Sequence, residues 1–123
     1  MHLVFRTAFI CAALLAASAA HAGEADVTAA TATQDMRGTW TVSATLLHAD
    51  EGWDHYADRF DVLAPDGTVL GSRILFHPHV NEQPFTRSLS SLSIPDDVDV
   101  ITVRAHDSVH ELGGATVEIT LER

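Results

Sequence analysis

Lysine is absent from this chain of 123 residues, and seven arginines face 17 aspartates and glutamates. The formal net charge of −10 repels phosphate backbones and anionic lipid surfaces, which argues against nucleic-acid binding. A surplus of carboxylates attracts cations instead. The length allows one domain.

Cysteine is nearly absent as well, since Cys11 is the only one. It lies in an apolar run, 7–20, that is too short to span a bilayer. Arg6 precedes the run, and Ala20-His21-Ala22 follows it with small residues where a signal peptidase cleaves. We therefore predict a signal peptide over 1–22. The protein would be periplasmic or secreted.

Cleavage after Ala22 takes 22 residues from 123 and leaves 101, while the loss of Arg6 changes the charge from −10 to −11. Cys11 is lost too, which excludes disulfides, thiolate metal sites and a cysteine nucleophile in the mature chain. The position of Cys11 inside the apolar run argues against a lipid anchor. No second long apolar run follows, so we expect no membrane span.

Residues 23–37 are rich in alanine and threonine and offer little bulk for a core. We interpret this segment as a flexible leader, with a weak strand over 27–33 as the alternative. From Gly38 the pattern has period two. Apolar residues at 40, 42, 44 and 46 alternate with Thr and Ser, which indicates a half-buried strand at the start of a domain over 38–123.

Five more segments have strand character and are separated by turns such as Pro65-Asp66-Gly67. They are 54–63, 68–76, 85–94, 98–105 and 115–121, with a bulge expected near Ser90-Ser91. Six or seven short strands predict an all-β fold, an immunoglobulin-like antiparallel β-sandwich with the architecture of fibronectin type III modules. An open barrel is the alternative.

Six histidines remain after cleavage, and their placement is the most informative feature of the sequence. They are His48, His55, His77, His79, His106 and His110. If consecutive strands run up and down, all six lie at one end of the sandwich, together with several aspartates and glutamates. Loops gathered at one end of a sandwich are a common place for binding sites.

Imidazoles and carboxylates that converge on one surface suit a divalent transition metal. Neutral imidazole favours copper or zinc, and no calcium-binding loop pattern is present. His77-Pro78-His79 is a His-x-His element whose two side chains face the same way on an extended chain. We expect His77, His79 and His106 as the foremost ligands.

His48, His55 and His110 complete the candidate set of metal ligands. A structural role is the alternative for each single histidine. His48 continues the inward parity of its strand and would cap the core, hydrogen-bonded to a backbone carbonyl. His55 would lie on a solvated outer face.

The sequence therefore predicts an exported domain that binds copper or zinc as a carrier, buffer or sensor. The alternative is a protein-interaction module of the cell envelope, whose apolar surface would comprise Trp53, Tyr56, Val80 and Phe85. An enzyme is the less favoured interpretation, because no Gly-x-Ser-x-Gly nucleophile motif is present.

Three stretches carry a resemblance to known proteins. They are HADEGWDHYADRFDVLAPDG from His48, HPHVNEQPFTRS from His77 and VRAHDSVHELGG from Val103. They resemble a family of short exported bacterial proteins that brings no established activity, and the resemblance implies that these loops work as a unit. The first stretch, at Trp53-Asp54-His55-Tyr56, also resembles the superoxide reductase domain, an immunoglobulin-like sandwich. That domain holds iron with histidines and one cysteine. Since the mature chain has no cysteine, only the architecture is implied.

Overall fold

The computed structural model describes residues 23–123, so the predicted signal peptide lies outside the described residues. Seven strands form within this range. They are β1 (Asp26–Gln34), β2 (Trp40–Leu47), β3 (Ala57–Leu63), β4 (Val69–Ile74), β5 (Phe85–Leu92), β6 (Val100–Asp107) and β7 (Val117–Thr120). The part of the chain that is described contains no helix that could cross a membrane.

The strands form two antiparallel sheets with a shared core. One sheet has the order β1-β2-β5 and the other the order β4-β3-β6-β7. Contacts of β1 with β6 and β7, and of β4 with β5, join the sheets along both sides. This arrangement confirms the predicted β-sandwich, with the larger of the two predicted strand counts.

The core is built by alternation along the strands. In β2, Trp40, Val42, Ala44 and Leu46 are buried, while the intervening Thr and Ser are half-buried, as the period of two predicted. Facing side chains from the other sheet complete this core, namely Phe60, Val62, Ile101, Val103 and Ala105. Burial of each large apolar side chain stabilises the fold by about 1.5–3 kcal/mol.

The segment 23–37 differs from the expected flexible leader. Residues 26–34 form β1, which corresponds to the strand given as the alternative. Its small side chains contribute little bulk, but its backbone pairs with β2 from Asp26↔Leu47 to Gln34↔Trp40. Backbone pairing therefore orders a segment whose composition alone indicates disorder.

A bulge in β5 lies where the sequence predicted it. Trp40 and Val42 of β2 pair with Leu92 and Leu89 of β5. One residue separates the pair in β2 and two residues separate it in β5, so β5 has one extra residue at this point. Ser91 takes a left-handed φ of 57° at this point. The bulge brings Leu92 back to the buried side of the sheet.

Candidate metal centre

The strand order brings all six histidines of the described residues to one end of the sandwich. His48 follows β2 and His55 precedes β3. Strands β4 and β6 flank β3 and run antiparallel to it, so they end where β3 begins. The other four lie after β4 or at the end of β6. They separate there into a buried cluster with His110 at its rim, an outer pair and a histidine on the outer face of a sheet.

The buried cluster consists of His48, His55 and Asp107. The Nε2 atoms of the two histidines lie 3.2 Å apart, and Asp107 Oδ2 is 3.2 Å from the first and 3.6 Å from the second. All three residues are buried, and the three atoms lie close enough together to hold one metal ion.

Each histidine of the cluster is oriented by a carboxylate on its other ring nitrogen. His48 Nδ1 is 2.6 Å from Asp50 Oδ1, and His55 Nδ1 is 2.7 Å from Glu51 Oε1. Since an ionised carboxylate only accepts hydrogen bonds, both Nδ1 atoms carry the proton. Both Nε2 atoms therefore face the shared point, the arrangement that carboxylates impose on metal-ligating histidines.

Asp107 is fixed by the loop that follows β6. Its Oδ1 accepts hydrogen bonds from the backbone N–H groups of Val109, at 2.8 Å, and His110. Burial raises the pKa of Asp107, but these hydrogen bonds and the charge of His48 outweigh it, so the pKa is lowered. Asp107 is thus an ionised carboxylate with Oδ2 directed at the histidines.

Without a metal ion, the cluster favours a proton on His48. Burial lowers the pKa of this histidine, but the hydrogen bond and charge of Asp50, with the charge of Asp107, outweigh it and raise the pKa. The Gly23 carbonyl oxygen, 2.9 Å from His48 Nε2, contributes to the same effect. A cation at this point is therefore electrostatically favoured.

His110 lies at the solvent-facing rim of the cluster. Its side chain is 40% exposed, its Nδ1 is 3.3 Å from Asp107 Oδ2, and its ring centre is 5.0 Å from that of His55. It is therefore adjacent to the three buried atoms without being one of them.

His77 and His79 form a separate outer pair, with ring centres 4.7 Å apart. His77 is exposed, whereas His79 is buried and stacks on Phe85 with ring centres 3.9 Å apart. Neither ring nitrogen of His79 has a hydrogen-bond partner among residues 23–123, and burial lowers its pKa.

Asp50 and Gln83 connect the outer pair to the buried cluster. Asp50 Oδ2 accepts a hydrogen bond from the backbone N–H of His79 at 2.7 Å, while its Oδ1 faces His48. Gln83 accepts from the backbone N–H of His48 at 2.9 Å and donates to the carbonyl of His79 at 3.0 Å. The loop between β2 and β3 and the loop between β4 and β5 are thus held together.

His106 lies apart from both groups. In β6 the inward positions are Ile101, Val103 and Ala105, so His106 faces outward and is only half-buried. Its Nδ1 is 2.6 Å from Asp58 Oδ1 of β3. The structure therefore does not bring His106 together with His77 and His79 in one cluster.

The candidate ligand set predicted from the sequence does not include Asp107. The alternation of β6 nevertheless indicates that this residue is buried. The inward alternation of β6, continued by two residues beyond Ala105, places a carboxylate on the buried face. A buried carboxylate requires a partner, which the two histidines supply.

The comparison with known proteins found a partial sequence match. The chain is 40% identical over 80 residues to a protein of Halomicrobium mukohataei described as "Putative lipoprotein". The match covers 65% of this chain and 39% of that protein, so the chain spans well under half of its relative's length. No protein-family model and no solved structure matches. What the comparisons establish is similarity to one part of a longer protein with that description.

Proposed function

We propose that this protein is an exported domain that binds a divalent transition metal, copper or zinc, at His48, His55 and Asp107. It would serve as a carrier, buffer or sensor of that ion. The observation that carries the proposal is the convergence of three buried ligand atoms whose histidines are both oriented by carboxylates.

The donor set suits this class of ion. Two imidazole nitrogens and one carboxylate are a common zinc set that leaves a fourth position open, and imidazole sites bind copper(II) still more tightly. His110 at the rim, with its Nδ1 3.3 Å from Asp107 Oδ2, is a candidate for that fourth position.

Export is supported by two independent features. The leader over 1–22 has the pattern of a signal peptide. The relative from Halomicrobium mukohataei is described as "Putative lipoprotein", and lipoproteins are a class of envelope protein. We therefore propose that the metal-binding domain lies in the periplasm or outside the cell.

Metal titration of the purified exported protein tests the proposal. Copper(II) or zinc(II) is added in competition with a chromophoric chelator, and the affinity is compared with those of Asp107→Asn and His106→Gln. Asn keeps the size of the side chain but removes the charge, so Asp107→Asn is expected to weaken binding at least tenfold, as loss of a supporting hydrogen bond already does. His106→Gln is the matched control and should bind as the wild type does. Absence of binding by the wild type would refute the proposal.

His77 and His79 remain a competing proposal for the ligands. The close rings and the unpartnered nitrogens of His79 support it. In that case the double substitution His77→Ala and His79→Ala would abolish binding, while Asp107→Asn would leave it intact. The same titration therefore assigns the site.

A protein-interaction module is the second candidate function. Trp53 is 67% exposed and Val80 is 52% exposed, both on the loops of the histidine end. Phe85 was expected on this surface, but it is 2% exposed and packs under His79, so that part of the expectation is wrong. A wild type that binds no metal would favour this function.

A further inference from the structure

The carbonyl oxygen of Gly23 lies beside the buried cluster. It is 2.9 Å from His48 Nε2, the nitrogen that faces the proposed metal. The same nitrogen is 3.2 Å from Asp107 Oδ2. Gly23 therefore borders the point where the ligand atoms converge. In the uncleaved chain, Gly23 has neither a charge nor a titratable group.

Packing of the following residues holds Gly23 in this place. Ala25 is completely buried, and the backbone N–H of Val27 donates to the carbonyl of Ala115 at 2.9 Å. Ala115 N–H in turn donates to Asp26 Oδ1 at 2.8 Å. At Gly114 a Cβ atom would lie only 1.9 Å from the Ala25 carbonyl oxygen, so the absence of a side chain there permits this close approach.

Gly23 is also the residue that the predicted cleavage after Ala22 would make the amino terminus. A terminal glycine carries a primary amine two bonds from its carbonyl carbon. Amine nitrogen and carbonyl oxygen of one residue can bind the same metal ion in a five-membered ring. Nitrogen donors of this kind suit copper(II) and zinc(II).

We propose that the α-amino group of Gly23, released by signal-peptide cleavage, is a ligand of the metal centre formed by His48, His55 and Asp107. The inference rests on the proposed function and on the predicted cleavage site. It makes processing a step in assembly of the centre, because an amide nitrogen in the uncleaved chain is a far poorer donor than an amine. Full affinity for the ion would arise only after export.

The absence of lysine makes this proposal unusually easy to test. The processed chain has a single primary amine, at its amino terminus. The exported protein is purified, its intact mass is measured, and the amine is acetylated with an N-hydroxysuccinimide ester, followed by hydroxylamine to reverse any ester on Tyr56. Both forms are then titrated with copper(II) or zinc(II) against a chelator, and their unfolding in metal-free buffer is compared by circular dichroism.

We expect acetylation to weaken metal binding at least tenfold and to leave the metal-free fold intact. Bound metal should slow acetylation of the unmodified protein, and the copper(II) absorption band should shift when the nitrogen donor is lost. Equal affinities before and after acetylation, or an amino terminus other than Gly23, would overturn the inference while leaving the metal site in place. Failure of both forms to bind would instead refute the proposed function and this inference with it.

Discussion

His48 and His55 face each other with their Nε2 atoms 3.2 Å apart, at the two ends of the one loop that joins β2 to β3. Asp50 and Glu51 hold the opposite nitrogens of the two rings. Two imidazoles in this arrangement require a shared cation, either a proton or a metal ion. The predictions below separate the contributions of metal, proton and fold.

Metal should stabilise the folded protein. A ligand that binds only the native state adds about 2.7 kcal/mol to the free energy of unfolding at a hundredfold excess over Kd. For a domain of this size the melting temperature should rise by roughly 10 °C or more. Thermal unfolding with and without copper or zinc measures this, and an unchanged melting temperature at saturating metal would count against the site.

The stabilisation by metal should grow as the pH rises. The pKa of His48 is raised in the folded state, so protonated His48 stabilises the metal-free protein fully below the ordinary pKa of 6.5. This contribution is lost as the pH rises through the folded pKa. Metal binding needs the unprotonated nitrogen of His48, so metal affinity increases over the same pH interval. Melting curves at several pH values, with and without metal, should therefore diverge above about pH 6.5. If the melting temperatures with and without metal change with pH in parallel, the assignment of His48 as a ligand is contradicted.

Asp50→Asn should impair both the metal centre and the fold. The carboxylate accepts hydrogen bonds from His48 Nδ1 and from the backbone N–H groups of Ala57 and His79. An amide has one accepting oxygen, so one of these donors loses its partner. We expect metal affinity to fall 10- to 100-fold and unfolding free energy to fall by about 1–3 kcal/mol. Asp97→Asn, in the exposed turn at the opposite end, is the control and should change neither.

His79→Phe should separate a packing role from ligation. The ring of His79 stacks on Phe85, and its two nitrogens have no partner within the described residues. Phenylalanine keeps the stack and removes two buried polar atoms, which should preserve or raise the free energy of unfolding. Metal affinity should stay at the wild-type value. A loss of affinity with an unchanged melting temperature would instead identify His79 as a ligand.

Asp61 should govern acid stability. Its buried carboxylate accepts hydrogen bonds from Arg59 and Arg104 at 2.9 and 2.8 Å and one from Ser72 at 2.6 Å. Burial raises the pKa of Asp61, but these partners outweigh it, so the pKa is lowered below 3.8. Its stabilisation is therefore present above about pH 4 and lost as the pH falls through the folded pKa.

Asp61→Asn should lower the free energy of unfolding at pH 7 by about 2 kcal/mol, because charge-assisted hydrogen bonds are lost. Chemical denaturation of both proteins between pH 7 and pH 3 measures this. The difference between the variant and the wild type should shrink at the acid end of that range. A constant difference would show that the ionised carboxylate is not the cause.

Much of the fold could be predicted from local pattern. The alternation of Trp40, Val42 and Leu46 and the turn at Pro65-Asp66-Gly67 predicted the strands and their connections, because pleat and turn geometry depend on neighbours in sequence. The strand β1 was the less favoured alternative, since most of its side chains are small and its order comes largely from backbone pairing with β2.

The sequence predicted the end of the sandwich that carries the histidines, and the candidate set included His48 and His55 of the buried cluster. Counting strands placed six histidines at one end, but the choice of His77, His79 and His106 as foremost ligands relied on spacing. His55 was expected on a solvated face and is 8% exposed, because it packs against His48, Asp107 and His110. Irregular loops have no period from which the direction of a side chain can be predicted.

The sequence by itself determined which strand residues point inward, and this includes His48 beyond β2; Asp107 follows the same alternation once β6 is seen to extend to it. That follows from the two-residue period of a strand, which is a property of the local backbone. Only the tertiary structure decided that these two residues meet, with His48 Nε2 3.2 Å from Asp107 Oδ2. The reason is that β2 and β6 belong to different sheets, so their contact depends on how the two sheets pack and on loops that no local pattern specifies.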